Sequence, residues 1–175
     1  MPESRIETEL LIVFIDLTRF SAESQRVTDV ELANVIDEYY AHVGEAVRAA
    51  GGRVVKFIGD ATLAVFPEEA IDTGVTMLLE LKDEVDRMMS GRGWHCRFTA
   101  KAHFGTAVAG LFGEGDTKRF DVIGQAVNMA ATLRSTGVAL SVPTFRKLGP
   151  ELRTHFKRHT LPVTYIRSED PRPFR

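Results

Sequence analysis

Short apolar runs alternate along the chain with longer stretches in which apolar residues recur every three or four positions. Residues 10–15 form a continuous apolar run, which predicts a central strand buried on both of its faces. Thr28 and Glu31 have the spacing of a helix capping box, and apolar residues then recur at helical spacing up to Val47. The pair Gly51-Gly52 is expected to end this first helix.

The segments that follow predict a hairpin, a second helix and a second hairpin. Residues 53–58 and 61–66 are apolar runs joined by Gly59-Asp60, a connection typical of a two-residue turn. The later elements are expected in this order: a helix at 71–88, strands at 97–105 and 107–112, a loop at 113–118, a strand at 120–123, a helix at 125–135, and strands at 138–142 and 163–166.

This order of elements predicts an α+β fold. Strand, helix, hairpin, helix and hairpin form a ferredoxin-like βαββαβ core with its helices on one face of the sheet, followed by a smaller C-terminal αβ extension. A chain of 175 residues is long enough to bury one core. We therefore expect a single domain over residues 1–175, with flexible tails at 1–8 and 167–175.

Composition excludes several classes of partner. The chain has 22 Lys and Arg against 24 Asp and Glu, so its net charge of −2 creates no field that favours nucleic acid or an anionic membrane. The apolar run before Asp16 is too short to span a membrane and lacks a signal cleavage pattern. Cys96 is the only cysteine, which excludes an internal disulfide and fits a reducing compartment. We expect a cytoplasmic protein, or the soluble domain of a larger one.

Two aspartates stand at predicted strand ends. Asp16 follows the first apolar run, and Asp60 lies at the tip of the hairpin that is expected beside it. Carboxylate oxygens on rigid strands are the ligands that Mg²⁺ and Mn²⁺ prefer, and two such metals can activate an attacking oxygen and stabilise a leaving one. Taken singly, each aspartate also fits an ordinary structural role, as a helix cap or a turn residue.

Three segments of the chain resemble the class III adenylate and guanylate cyclases. Residues 14–20, which read FIDLTRF, are similar to the first metal-binding segment of that family, and residues 51–66 are similar to the second. Residues 120–131, which read FDVIGQAVNMAA, are similar to the third. The three motifs occur in the family's order and with its spacing, and the resemblance covers almost the whole chain.

The resemblance implies a head-to-tail homodimer with shared active sites and two bound divalent metal ions, Mg²⁺ or Mn²⁺. One subunit would bind both metals through Asp16, Asp60 and the backbone carbonyl of Leu17. The other would supply Lys56, Asp121 and Asn128, and a dimer of this symmetry would carry two equivalent sites. ATP would be the substrate, with no nucleic acid partner and no membrane contact from this segment.

Lys56 and Asp121 bear on the choice of base. Adenine offers a ring-nitrogen acceptor and an amino donor at its pairing edge, which a cation and an anion complement. Guanine reverses this pattern at the same edge, and the guanylate cyclases that this chain resembles have Glu at the position of Lys56. The Lys56 and Asp121 pair therefore favours ATP over GTP. Asn128 would orient the ribose and the transition state. The alternatives are a surface lysine, a salt-bridging aspartate and a polar residue near a helix end.

One departure from the family pattern falls on the helix that carries Asn128. The family has a transition-state arginine at the position of Thr132, and a hydroxyl supplies neither its charge nor its fork of donors. Loss of one such contact lowers the rate by a factor on the order of 10² to 10³. Arg134 lies about 120° around a helix from Asn128, so it compensates only if the helix ends early or its side chain wraps back.

A second departure lies near the C-terminus. In the family a lysine in a Lys-Gly step contacts the triphosphate shortly before a Pro-Val pair. Lys157 stands five residues before Pro162-Val163, which fits that spacing, but Arg158 replaces the glycine. Lys157 is therefore a candidate triphosphate ligand on an altered turn.

Two functions follow from these observations. The first is an adenylate cyclase that converts ATP to 3′,5′-cyclic AMP and pyrophosphate, with an activity lowered by Thr132. The second is a degenerate cyclase-homology domain that binds nucleotide or a partner cyclase with little turnover. A diguanylate cyclase is disfavoured because the hairpin at 58–62 reads IGDAT without that family's acidic signature. A polymerase palm is disfavoured because no large basic face is visible.

Overall fold

The computed structural model describes residues 5–160 and 162–171, so residues 1–4 and 172–175 of the expected tails lie outside the described residues. Its elements are, in chain order, β1 (Ile6–Thr18), α1 (Phe20–Ser24), α2 (Asp29–Ala49), β2 (Arg53–Ile58), β3 (Ala61–Phe66), α3 (Ile71–Gly91), β4 (Arg97–Phe112), β5 (Arg119–Ile123), α4 (Gln125–Thr132), β6 (Val138–Ser141), α5 (Val142–Lys147), α6 (Pro150–Arg153), β7 (Phe156–His159) and β8 (Thr164–Arg167). Among the described residues, no helix combines the length and the apolar composition that crossing a bilayer requires.

The strands form one sheet in the order β2-β3-β1-β4-β6-β8-β7, and β5 pairs with β4. The central strand β1 is antiparallel to β3 on one side and to β4 on the other. The segments from β1 to β4, with α2 and α3, confirm the predicted ferredoxin-like core. The strands β6, β8 and β7 form the C-terminal extension, which joins the core through a parallel pairing of β4 with β6.

The core has two layers, one on each face of β1. Leu11 and Val13 are fully buried against α2 and α3, whereas Ile12 is fully buried on the opposite face. There it packs in a smaller cluster that includes Ala126 and Ala130 of α4. The prediction of a central strand buried on both faces is therefore confirmed. The capping box of α2 also forms, because the Thr28 hydroxyl and the side chain of residue 31 bond each other's backbone amides.

The prediction of two strands at 97–105 and 107–112 was wrong. Residues 97–112 form the single strand β4, because residues 97–109 pair with β1 and residues 108–112 pair with β5 without a turn between them. The second hairpin is formed by β4 and β5 instead, and its loop contains Gly113 and Gly115, both with positive φ.

Several boundaries also differ from the sequence-based expectations. Strand β1 begins at Ile6, inside the segment expected as an N-terminal tail, because its first residues pair with the far end of β4. Helix α4 ends at Thr132 rather than at residue 135. The helices α1, α5 and α6 and the strand β7 were not predicted, since all are six residues or shorter and carry little periodicity.

Two glycines around α2 provide a matched test of this packing. A β-carbon on Gly52 would lie 2.3 Å from the ring of Phe66, which is fully buried and would have to shift within the packed core. Gly52→Ala is therefore expected to lower the free energy of unfolding by about 1–3 kcal/mol. A β-carbon on Gly44 meets no atom within 4 Å, so Gly44→Ala should raise that free energy by about 0.5–1 kcal/mol. Urea unfolding of both variants measures the difference, and equal stabilities would contradict the packing described.

Candidate active site

Two aspartates meet at one end of the central strand. Asp16 lies near the end of β1, and Asp60 lies in the turn between β2 and β3. Because β3 pairs with β1, this turn sits beside the end of β1. The backbone amide of Leu17 donates to Asp16 Oδ1 at 3.0 Å and to Asp60 Oδ2 at 3.4 Å. The structure thus brings together the two carboxylates, called here the acid pair, around one shared donor.

The acid pair brings two negative charges together, and no positively charged side chain of the described residues neutralises them. Partial burial, together with the neighbouring Asp16 carboxylate, raises the pKa of Asp60 to about 6. Within residues 5–160 and 162–171, neither carboxylate forms an ion pair with a lysine, arginine or histidine. A cation would therefore relieve a repulsion that the folded chain otherwise retains.

These residues fit a divalent metal ion. Mg²⁺ binds proteins through one or two carboxylates and completes its coordination with waters and substrate phosphate oxygens. The acid pair offers such a donor set, and the part of the chain that the structure describes contains no group of three or more His, Cys, Asp or Glu side chains suited to a metal. The Leu17 side chain is almost fully buried in the hydrophobic core, and metal binding by its carbonyl stays a prediction.

Helix α2 holds the turn that carries Asp60. Gly59 adopts a left-handed conformation with φ 61°, and the hydroxyl of Tyr40 donates to its carbonyl. The ring of Tyr40 stacks on Phe57 with the ring centroids 3.9 Å apart. The neighbouring Tyr39 is fully buried, and this burial raises the pKa of its hydroxyl. The helical periodicity of the sequence did not identify Tyr40, because its contacts with Phe57 and Gly59 join segments that are distant in the chain.

A second polar group joins β2 to β5. Lys56 Nζ lies 2.6 Å from Asp121 Oδ2, and the amide of Val122 donates to Asp121 Oδ1 at 2.8 Å. Beside this pair the guanidinium of Arg53 lies over the ring of Phe120, 3.5 Å from its centroid. The structure therefore places Lys56 and Asp121 together in one chain. A structural salt bridge would have the same geometry, so their role in base recognition stays a prediction.

Helix α4 presents Asn128 to solvent. At its last residue the Thr132 hydroxyl donates to the carbonyl of Met129 at 3.1 Å. Leu133 is already extended, with φ −59° and ψ 144°, so the helix ends before Arg134. Because the helix ends before Arg134, the direction of the Arg134 side chain no longer follows from helical spacing. Arg134 is exposed and forms no hydrogen bond or ion pair with the residues the structure describes.

Lys157 lies apart from both polar groups. It is on β7, which stands at the opposite end of the sheet order from β2. Its Nζ donates to the carbonyls of Ser168 at 2.6 Å and Asp170 at 2.9 Å. The structure does not bring Lys157 to the acid pair or to Lys56, and binding a phosphate would require its side chain to leave these carbonyls. Its role as a triphosphate ligand stays a prediction.

Comparison with known families gives one match over most of the chain. The sequence model of the adenylate and guanylate cyclase catalytic domain matches residues 3–157.

Curated relatives show the same likeness. The chain is 30% identical over 134 residues to an adenylate cyclase of Anabaena cylindrica, a match that covers 71% of this chain and 26% of that protein. It is 34% identical over 145 residues to an uncharacterized protein of Mycobacterium tuberculosis, covering 80% of this chain and 34% of that protein. The chain therefore spans about a quarter to a third of the length of these relatives.

Solved structures share the fold. A bacterial light-regulated adenylyl cyclase superposes with a TM-score of 0.85 at 21% identity, over 99% of this chain and 56% of that one. An adenylyl cyclase from P. aeruginosa gives a TM-score of 0.82 at 17% identity, over 98% and 99% of the two chains. A guanylyl cyclase gives 0.76 at 21% identity, over 99% and 98%. At these identities the likeness establishes the fold, and it does not separate the two nucleotides.

The acid pair predicts an unusual dependence of stability on pH and metal. Because the folded pKa of Asp60 lies above its ordinary value, the folded state binds the proton more tightly, and this site loses stability as pH rises from about 4 through 6. In EDTA, Asp60→Asn should therefore be more stable than the wild type at pH 7.5, and this advantage should shrink at pH 5. Added Mn²⁺ should stabilise the wild type more than the variant.

Urea unfolding at both pH values, with EDTA or Mn²⁺, measures these shifts. Asp37→Asn is the matched control, because it makes the same change at an exposed position on α2. A variant that is less stable than the wild type in EDTA at pH 7.5 would contradict the repulsion described here. So would an equal response of both proteins to Mn²⁺.

Proposed function

The chain belongs to the adenylate and guanylate cyclase catalytic domain family, and we propose that it is an adenylate cyclase that converts ATP to 3′,5′-cyclic AMP and pyrophosphate. The observation that carries this proposal is the convergence of Asp16 and Asp60 on the Leu17 amide. The Lys56–Asp121 pair supports ATP as the nucleotide.

The reaction needs no nucleophile from the protein. The ribose 3′-hydroxyl gives its proton to solvent water as its oxygen attacks the α-phosphorus, and pyrophosphate leaves as the bond from the α-phosphorus to the bridging oxygen breaks. Two divalent metal ions, when bound, lower the energy of the attacking oxygen and neutralise phosphate charge. Asp16, Asp60 and the Leu17 carbonyl would hold these ions. The shared amide and the Tyr40 hydroxyl keep the acid pair in place, which limits reorganisation during the reaction.

Base selection rests on the pair between β2 and β5. The ammonium of Lys56 donates to the adenine ring nitrogen, and the carboxylate of Asp121 accepts from the exocyclic amino group. The two side chains otherwise bond each other, so an entering adenine exchanges one satisfied contact for two. Guanine presents an acceptor to Asp121 and a donor to Lys56, and both groups would then lose a partner.

A homodimer with shared sites completes the proposal. Ile58, Ile123 and Met129 are each more than half exposed, and large apolar side chains in such positions favour a partner surface. Ile58 and Ile123 lie two residues beyond Lys56 and Asp121 on the same strand faces. A partner subunit seated on this surface would bury these side chains. Its acid pair would face the Lys56, Asp121 and Asn128 of the first subunit, and symmetry would give two equivalent sites.

A degenerate domain that binds nucleotide without turnover is the second candidate. The Thr132 hydroxyl is bonded back to its own helix, and Lys157 is bonded to two backbone carbonyls. Two cationic contacts that the family directs at the phosphates are thus missing or engaged elsewhere. This observation favours a low rate and leaves nucleotide binding intact.

We expect the purified protein with Mn²⁺ or Mg²⁺ to form cyclic AMP from ATP in preference to cyclic GMP from GTP. Asp60→Ala should abolish the product. Lys56→Glu should lower kcat/KM for ATP by about tenfold or more, because the ring nitrogen then faces an acceptor. Mass spectrometry of both cyclic nucleotides gives the rates, and Arg48→Glu, a charge reversal in the last turn of α2, is the control.

Each result separates the alternatives. Cyclic GMP as the main product would overturn the roles given to Lys56 and Asp121. Metal-dependent ATP binding without product would favour the degenerate domain. Product that survives in Asp60→Ala would remove the acid pair from the mechanism.

Thr132 provides a gain-of-function test. Thr132→Arg restores a guanidinium one helical turn after Asn128, and it should raise kcat by up to about 10² to 10³. Ala131→Arg places the same charge on the neighbouring exposed position of α4, about 100° around the helix, and should leave kcat near the wild-type value. Equal rates for both variants would show that position 132 does not face the transition state.

A further inference from the structure

Helix α2 buries a polar group that core packing alone does not require. Tyr39 is fully buried, and its hydroxyl oxygen has no hydrogen-bond partner within residues 5–160 and 162–171. A buried tyrosine hydroxyl normally finds a partner, because leaving it unpaired costs the hydration that it had in the unfolded chain. Phenylalanine would fill the same space without this cost. The hydroxyl of Tyr39 therefore calls for an explanation other than packing.

A second unpaired hydroxyl lies next to it. Thr62 on β3 is fully buried, and over the described parts of the chain its Oγ1 also lacks a hydrogen-bond partner. The Thr62 hydroxyl is close enough to lower the pKa of the Tyr39 phenol, although the two oxygens are not placed as a hydrogen bond. Valine suits a buried strand position without an unpaired oxygen. The side chains of Tyr39 and Thr62, called here the inner hydroxyls, thus carry donors that the core does not use.

The inner hydroxyls approach the acid pair from the core side of the sheet. Burial raises the pKa of Tyr39 most, and the negative charges of Asp60 and Asp16 raise it further, so the phenol stays protonated and can donate. Thr62 follows Asp60 by two residues and stands opposite Ile15, the residue before Asp16. The two carboxylates of the acid pair are therefore the anions that act on these donors.

Other contacts of this region leave the inner hydroxyls unexplained. The Leu17 amide donates to one oxygen of each carboxylate. The Tyr40 hydroxyl donates to the carbonyl of Gly59, so it holds the main chain of the turn and neither carboxylate. Carboxylates that bind a metal ion are themselves hydrogen-bonded by a surrounding layer of donors, which orient them and raise the affinity for the metal. The inner hydroxyls have the position and the free donors for this role.

We infer that Tyr39 is a positioning residue for a divalent cation at the acid pair, and this inference rests on the proposed function. The Tyr39 hydroxyl donates to Thr62 Oγ1, and the Thr62 hydroxyl donates to the Asp60 carboxylate when that carboxylate binds the cation. Folding alone leaves both donors unpaired, so closing this chain satisfies polar groups that otherwise carry a cost. Cation binding and the pairing of the inner hydroxyls then favour each other.

The test measures cation binding and stability separately. Mn²⁺ affinity is obtained without nucleotide from electron paramagnetic resonance of the free ion, and the urea midpoint is measured in EDTA. Tyr39→Phe removes one oxygen and keeps the ring. It should weaken Mn²⁺ binding about tenfold or more, while the midpoint in EDTA equals or exceeds that of the wild type because an unpaired hydroxyl is gone. A hydroxyl that only supported the fold would give a lower midpoint and an unchanged affinity.

Matched variants separate the hydroxyl from the shape of the side chain. Tyr165→Phe removes the same oxygen on β8, which β4 and β6 separate from β1, and should bind Mn²⁺ like the wild type. Thr62→Val should weaken binding as Tyr39→Phe does. Thr62→Ser keeps the hydroxyl and should retain most of the affinity.

Unchanged Mn²⁺ affinity in Tyr39→Phe would overturn the inference. Equal losses in Thr62→Val and Thr62→Ser would also overturn it, because the shape of the side chain would then be responsible. A wild type that binds Mn²⁺ but forms no cyclic nucleotide would refute the proposed activity, and the variants would still decide the role of Tyr39. A wild type that binds no Mn²⁺ would refute the metal site and this inference together.

Discussion

The pairing of β1 with β3 is the constraint on which the rest of the site depends. It sets Ile15 opposite Thr62, so that the end of β1 reaches the β2–β3 turn and the Leu17 amide reaches both Asp16 and Asp60. A shift of this register by one residue would turn every side chain of β1 to the opposite face. Because both faces of β1 are packed, such a shift would remove the packing partners of the whole strand. Site geometry and core packing are therefore fixed by the same interaction.

Unfavourable features of the chain concentrate around this one end of β1. Asp16 and Asp60 hold like charges together, and Arg19 adopts a conformation that suits glycine. Tyr39 and Tyr40 contribute burial and a hydrogen bond to the same region from α2. A core that extends along both faces of the sheet offsets these local penalties. Unfavourable charges and backbone conformations are expected to cluster in this way where a binding site requires them.

The sequence allowed the ferredoxin-like core and the nearness of Asp16 to Asp60 to be predicted, because both follow from apolar periodicity and from the position of turns. It did not reveal that residues 97–112 form one strand, since that depends on β1 and β5 as pairing partners distant in the chain. The engagement of Lys157 with the carbonyls of Ser168 and Asp170 is likewise a tertiary contact without local signal. The spacing of Lys157 to Pro162-Val163 therefore suggested a triphosphate ligand and gave no sign that its ammonium is already bonded.

Lys56 is the cation of the candidate site that is already bonded to a carboxylate, and this bond bears on base selectivity. Lys56 is bonded to Asp121, so a base must replace that bond, and a mismatched base leaves both charges unpaired. Arg19 and Arg134 form no hydrogen bond or ion pair within the described residues, so neither takes part in this exchange. Base choice would then reside in β2 and β5, where the penalty for a mismatched base is the loss of both partners.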